Sequence, residues 1–427
     1  MNMIKKIHYI IIAVVSAIVI TFSSTSCNKI ETPKTEAESA LIIYSAGFNN
    51  LNPYLAKNLT SLKTGYIPSY NDNKMLFVIL HTADKGYYQN EGPKLIRIWR
   101  NKAGEIVESV LLTTDSKTYA SDVQTARSML TYIRDNFKIE KYGLIFSSHS
   151  TGYLPPLYGT NESKFETEFT ALSESQSEKN ASKRSMGNDF SYSEEEKNKE
   201  MDIIDFVNQM PIKFEYILMD TCFMGGIEVA YQFRDICHYI GFSQTEVLAD
   251  GLDYSIMTDV LLNRESPDLT AISKAYINLY MNQNGAMQSA TWSLIDCTKL
   301  EPLAQECQVL FNKYRAEIAS LQKSKVQRYY REHLTPVYHW FYDLEDIIIQ
   351  AGANEEELNM LHNALNNCII YKGATPYFFK GHISEFEIKH HSGLSMMLPS
   401  DAGNYLKAYY THLDWNQDTH LIDFSIN

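Results

Sequence analysis

Short apolar runs alternate with amphipathic stretches along most of this chain. Leu41-Ile42-Ile43-Tyr44, Met75 to Leu80, Leu95 to Trp99, Gly143 to Phe146 and Tyr216 to Met219 are brief, rich in β-formers and bounded by turn residues, which is the pattern of buried strands. Val123, Ala126, Met129, Leu130, Ile133 and Phe137 recur at helical spacing and predict a helix over 120–137, capped by Ser121 or Asp122. After about Leu300 the pattern turns helical, with Leu303 to Leu321, Pro336 to Ala351 and Glu355 to Cys368 as candidates, before Ser392 to Leu398 returns to a strand-like run. Strand and helix in alternation predict an α/β fold: a mostly parallel sheet covered by helices on both faces.

Two segments depart from this rhythm. At the start, Lys5 and Lys6 precede an uncharged apolar run from Tyr9 to Phe22, followed by small residues and Cys27. A charged region, an apolar region and a small-residue cleavage site read as a signal peptide over 1–26. The run of 14 is short of the roughly 20 residues that a spanning helix needs. A polar tether over 27–39 follows. The second departure, 161–200, carries ten acidic and six basic residues and few large apolar ones, and is expected to be a mobile insertion. The mature chain then divides into a core over 40–299, interrupted by that insertion, and a helix-rich part over 300–427 packed on it.

Composition narrows the function. Of 427 residues, 38 are Lys or Arg and 51 are Asp or Glu, for a formal charge of −13. An acidic chain is a poor grip for nucleic acid, which requires a surplus of cations. Six Cys are too sparse for a disulfide scaffold, and no Cys-x-x-Cys pair suggests zinc or redox chemistry. The short motifs for phosphate loops, dinucleotides, hydrolase serines and zinc proteases are absent.

Chemistry concentrates at two strand ends. Gly143 to Phe146 leads into Ser147-Ser148-His149-Ser150-Thr151-Gly152, and Phe214 to Met219 into Asp220-Thr221-Cys222-Phe223-Met224-Gly225-Gly226. Ligands in open α/β sheets bind outside the carboxyl ends of strands, so a His and a Cys placed there can share one crevice. A helix predicted from Ile227 onward would favour the Cys222 thiolate through its dipole, and the His149 imidazole can take or return a proton. Asp220 either serves a site or caps the following turn. His390-His391 are weak metal candidates, since neighbours on a strand point to opposite faces. Asp250-Gly251-Leu252-Asp253 is a calcium candidate without an EF-hand loop. Cys237, Cys297, Cys307 and Cys368 suit buried thiols.

Read together, these stretches resemble the clostripain-like cysteine peptidases, family C11 of the clan that also holds caspases, legumain and gingipains. The likeness rests on Leu41 to Asn52, Tyr142 to Pro155, Phe214 to Tyr231, Thr245-Glu246 to Tyr254, Phe341-Tyr342-Asp343-Leu344, and Ser392 to Pro399 with Leu406 to Trp415. It implies a caspase-like three-layer α/β/α sandwich with a helix-rich C-terminal extension. It also implies Cys222 as nucleophile and His149 as its partner, with the oxyanion held by the backbone N–H groups of Ser150 and Cys222, and no cofactor beyond an optional calcium. By the same likeness Asp220 lies at the floor of a pocket selecting Arg or Lys in protein or peptide substrates. Self-cleavage within 161–200, at Lys179, Lys183, Arg184 or Lys197, would be an activation step.

The Cys after small residues resembles a bacterial lipobox, which implies a lipid on Cys27 and a place on the membrane of the bacterial cell envelope. Ser150 departs from the family, which normally has Gly after the His. A Cβ there is harmful only at positive φ or where substrate comes close. That departure keeps open a rival reading, a catalytically weak or inactive surface-binding lipoprotein.

Overall fold

The computed structural model describes residues 32–84, 91–156, 158, 164, 186–192, 199–331 and 339–423. Cys27 and the four processing candidates Lys179, Lys183, Arg184 and Lys197 lie outside the described residues. Among the described residues nine strands form the main sheet: β1 (Glu36–Ala46), β2 (Lys74–His81), β3 (Lys94–Arg100), β4 (Ile106–Thr113), β5 (Lys138–Ser147), β6 (Phe214–Asp220), β7 (Cys237–Phe242), β8 (Thr291–Asp296) and β9 (Ile369–Ala374). Their spatial order is β9-β8-β7-β6-β5-β1-β2-β3-β4. The five central strands, β7 to β2 in that order, are mutually parallel, and antiparallel pairs extend both edges.

Both faces of the sheet are covered, which is why its strands read as continuous apolar runs. Ile42 and Tyr44 of β1 point into one core, and Leu41 and Ile43 into the other. On the first face pack α2 (Val123–Asn136), α3 (Ile203–Gln209), α4 (Ile227–Phe233) and the C-terminal helices; on the second, α1 (Asn52–Leu62), α5 (Tyr254–Leu261) and α6 (Leu269–Met281). The helix expected over 120–137 is α2, and its cap is Asp122, whose carboxylate accepts the N–H groups of Gln124 and Thr125.

The C-terminal part departs from its predicted outline. Leu303 to Leu321 is two helices, α7 (Glu301–Lys313) and α8 (Arg315–Ser320), interrupted at Tyr314. Of the described part of Pro336 to Ala351, residues 339–351, only α9 (Leu344–Gln350) is helical, because Tyr342 and Asp343 pair with Met396 and Ser395 and Asp343 then caps the helix. The candidate over 355–368 forms α10 (Glu355–Cys368), opened by a capping box between Asn354 and Glu357. From it the chain runs directly into β9, which extends the main sheet antiparallel to β8. The same part grips the segment after Cys222. Ser395 N–H donates to Gly225 O at 2.9 Å, and Glu228 of α4 accepts from Met397 N–H and Tyr410 O–H, each at 2.8 Å.

Candidate active site

Because β1, β2, β5, β6 and β7 run the same way, the loops after them gather along one edge of the sheet. His149 follows β5 by two residues, Cys222 follows β6 by two, and the 243–251 segment follows β7. These loops and the start of α1 enclose a cleft of about 260 Å³. Leu51, Leu55, Leu248 and Ala249 supply apolar walls, Asp220 a nearly buried carboxylate, and His149, Cys222 and Glu246 the remaining chemistry. A larger cavity, about 590 Å³, opens beside the amino ends of β1, β5 and β6, but no thiol or imidazole lines it.

Asp220 is held by neutral donors. Its Oδ2 accepts from Ser147 O–H at 2.6 Å and Tyr254 O–H at 2.8 Å, and its Oδ1 accepts from Leu252 N–H at 3.2 Å. Burial pushes its carboxyl up, and these donors pull the other way. Gly251, at φ +64°, passes so close that a Cβ would lie 2.6 Å from Oδ1. Asp220 caps neither the following turn nor the helix, since its carboxylate accepts from Ser147, Tyr254 and Leu252 and the N-cap of α4 is Gly226.

The His149 Nε2–H donates to Asn50 Oδ1 at 2.6 Å, and burial lowers the imidazole pKa below its ordinary value. The Cys222 thiol faces Val247: Sγ lies 3.8 Å from Val247 O and accepts Val247 N–H at 3.4 Å. No hydrogen bond joins His149 to Cys222 among the described residues. Ser150 has a negative φ, whereas Gly152 (+65°) and Phe223 (+61°) do not. Its hydroxyl donates to Cys222 O and contacts the Thr221 hydroxyl, tying the two loops together. Ser150 also forms an antiparallel bridge with Met186, a residue within 161–200.

A thiol and an imidazole that line one cleft suit acyl transfer. The model for the clostripain family matches residues 43–165 and 172–425. The chain belongs to the clostripain family of cysteine peptidases.

Among solved structures, an inactive zymogen C11 protease from Parabacteroides distasonis is 26% identical, with a TM-score of 0.72 and coverage of 90% of this chain and 99% of that one. A secreted C11 cysteine protease from Bacteroides thetaiotaomicron, solved with an irreversible peptide inhibitor, is 21% identical, with a TM-score of 0.70 over 90% of this chain and 99% of that one. The peptidase therefore has the caspase-like α/β/α fold. No curated protein matches.

One electrostatic expectation is overturned. The Cys222 thiol is not favoured as a thiolate, although α4 starts five residues after it. Instead desolvation, and then the nearby Glu246 carboxylate, push the thiol up to about 12. Several neighbours escaped the sequence reading. Asn50 was visible as part of a polar turn after a strand, but its role follows only from β1 lying beside β5. Ser147 and Tyr254 lie 107 positions apart and meet only at Asp220. Glu246 pairs with Arg331, whose guanidinium stacks 4.5 Å from the Phe379 ring centre. His390 bonds Glu345 and His391 bonds Gln244, so the adjacent imidazoles have separate partners. Asp250 pairs with Lys57, and Asp253 caps α5.

Proposed function

We propose that this peptidase is a lipid-anchored endopeptidase that cuts after Lys or Arg, with Cys222 as nucleophile and His149 as its proton partner. The observation that carries the reading is the shared cleft: an apolar sleeve leading to Asp220, with the thiol and the imidazole beside it. A basic side chain would lay its methylenes along Leu51, Leu55 and Leu248 and its charge against Asp220. His149 would take the Cys222 proton, and the thiolate would attack the carbonyl carbon. The oxyanion would sit on the N–H groups of Ser150 and Cys222. As the C–N bond breaks, His149 returns its proton to the leaving amine. Water then hydrolyses the thioester and restores the thiol.

The geometry described above is that of a resting form. A thiol at about 12 provides almost no thiolate at neutral pH. Val247 holds Cys222, Asn50 holds His149, and Met186 lies against Ser150. Cleavage in 161–200, at Lys179, Lys183 or Arg184 before Met186 or at Lys197 after it, would cut the chain on one side of that contact, and a relative of this fold is an inactive zymogen. The test is to assay fluorogenic Lys, Arg and Asp peptides before and after incubation that permits self-cleavage, with Cys222→Ala alongside. Release from the basic peptides, lost in Cys222→Ala and accompanied by a new N-terminus within 161–200, is expected. No Cys222-dependent release from either basic peptide, in cut or uncut protein, would refute the peptidase mechanism and favour a binding lipoprotein.

A further inference from the structure

Resting on that reading of Asp220, we infer that the pocket takes lysine in preference to arginine before the scissile bond, with Ser147 and Tyr254 as the residues that set the preference. A guanidinium fork places one N–H on each carboxylate oxygen, side by side in the carboxylate plane. At Asp220 one of those oxygens is already filled. Oδ2 accepts two hydroxyls, Ser147 at 2.6 Å and Tyr254 at 2.8 Å. Among the described residues Oδ1 accepts a single amide N–H, from Leu252 at 3.2 Å, which leaves it one lone pair.

Neither hydroxyl is free to step aside. Ser147 is 1% exposed and Tyr254 2% exposed, and the two oxygens lie 2.5 Å from each other. Even where one hydroxyl donates to the other, both oxygens stay beside Oδ2 and block a second N–H there. The remaining approach to Oδ1 is a narrow one past Gly251, which lines the cleft with Asp220 and lies so close that a Cβ would come 2.6 Å from Oδ1. A compact ammonium needs one strong acceptor and distributes its other N–H groups freely, so it fits this opening. A planar fork does not, and an arginine is left with one arm bonded and the other desolvated.

The experiment compares kcat/KM for paired peptides that differ only in Lys or Arg, using the purified full chain in detergent after self-cleavage. The ratio does not depend on the active fraction, so a partly misfolded variant still reports. The wild type is expected to favour Lys by about 5-fold or more. Tyr254→Phe and Ser147→Ala, each freeing one Oδ2 lone pair, are expected to lower the Lys:Arg ratio by about 5-fold. Cys222-dependent cleavage that favours Arg in the wild type would overturn the lysine inference while leaving the peptidase reading intact, as would a ratio unmoved in both variants. Cleavage of neither basic peptide would overturn both.

Discussion

At the scale of single residues, the thiol and the hydroxyl beside it make separate predictions. With its pKa near 12, Cys222 of the uncut chain should react with iodoacetamide at neutral pH about 100-fold more slowly than an ordinary cysteine. The factor reflects a loss of thiolate partly offset by the greater nucleophilicity of a more basic one. The rate should rise about tenfold per pH unit between roughly pH 7 and 10, and self-cleavage should accelerate it at fixed pH. Mass-spectrometric alkylation of Cys222 reads all three, and a fast, pH-flat rate in the uncut chain would contradict the resting geometry. Ser150 meets no backbone penalty, because its φ is negative. Its hydroxyl instead bridges Thr221 and Cys222 O. Ser150→Gly should therefore destabilise the chain by about 1–2 kcal/mol in chemical denaturation.

At the scale of elements, the loop after β7 and the start of α4 make separate predictions. Gly251 combines φ +64° with a near contact to Asp220, so Gly251→Ala should both strain the loop and crowd the floor of the cleft. Cleavage of basic peptides should fall by about 100-fold or more in kcat/KM, chiefly through KM, measured against the wild type. On α4, Glu228 is buried with Oε1 bonded to Met397 N–H and Tyr410 O–H, while Oε2 has no partner among the described residues. Burial raises its pKa from 4.5 to about 7. The folded chain thus keeps a proton that the unfolded chain releases above 4.5. This favourable contribution is complete below about pH 4.5 and is lost as pH rises through about 7, a span of about 3 kcal/mol. Glu228→Gln should flatten the fall of the unfolding midpoint between pH 5 and 8, and an unchanged profile would place the titration elsewhere.

At the scale of the whole molecule, strand direction orients the enzyme. β1 begins at Glu36 on the amino edge of the sheet, whereas the cleft lies at the carboxyl edge, about 30 Å away along a strand of this length. Under the proposed anchor, Cys27 precedes Glu36 by nine residues, a tether of at most about 30 Å. The amino edge would then face the bilayer and the cleft would face away from it. Lipidated protein in liposomes should cleave a folded soluble substrate with kcat/KM within about twofold of the detergent-solubilised form. Strong suppression on the vesicle surface would contradict that orientation.

The α/β class and four of the five central strands were legible in the chain because burial on both faces writes continuous apolar runs, as in Leu41 to Tyr44 and Tyr216 to Met219. The helix over 120–137 was legible because one face is apolar and Asp122 caps it. The strands Cys237–Phe242, Thr291–Asp296 and Ile369–Ala374 were not: Gly241, Ser293 and Lys372 break the apolar pattern, and only neighbouring strands complete it. At the site, the residue types and their positions after two strands could be read locally, since a His and a Cys at strand ends are features of single segments. Their working state could not, because it depends on groups remote in the chain. Val247 against the thiol, Asn50 against the imidazole and the paired hydroxyls of Ser147 and Tyr254 on Asp220 arise from the parallel order of β1, β5, β6 and β7. Hydrogen bonding and desolvation act over a few ångströms, and it is the folding of the sheet that brings these groups within that range.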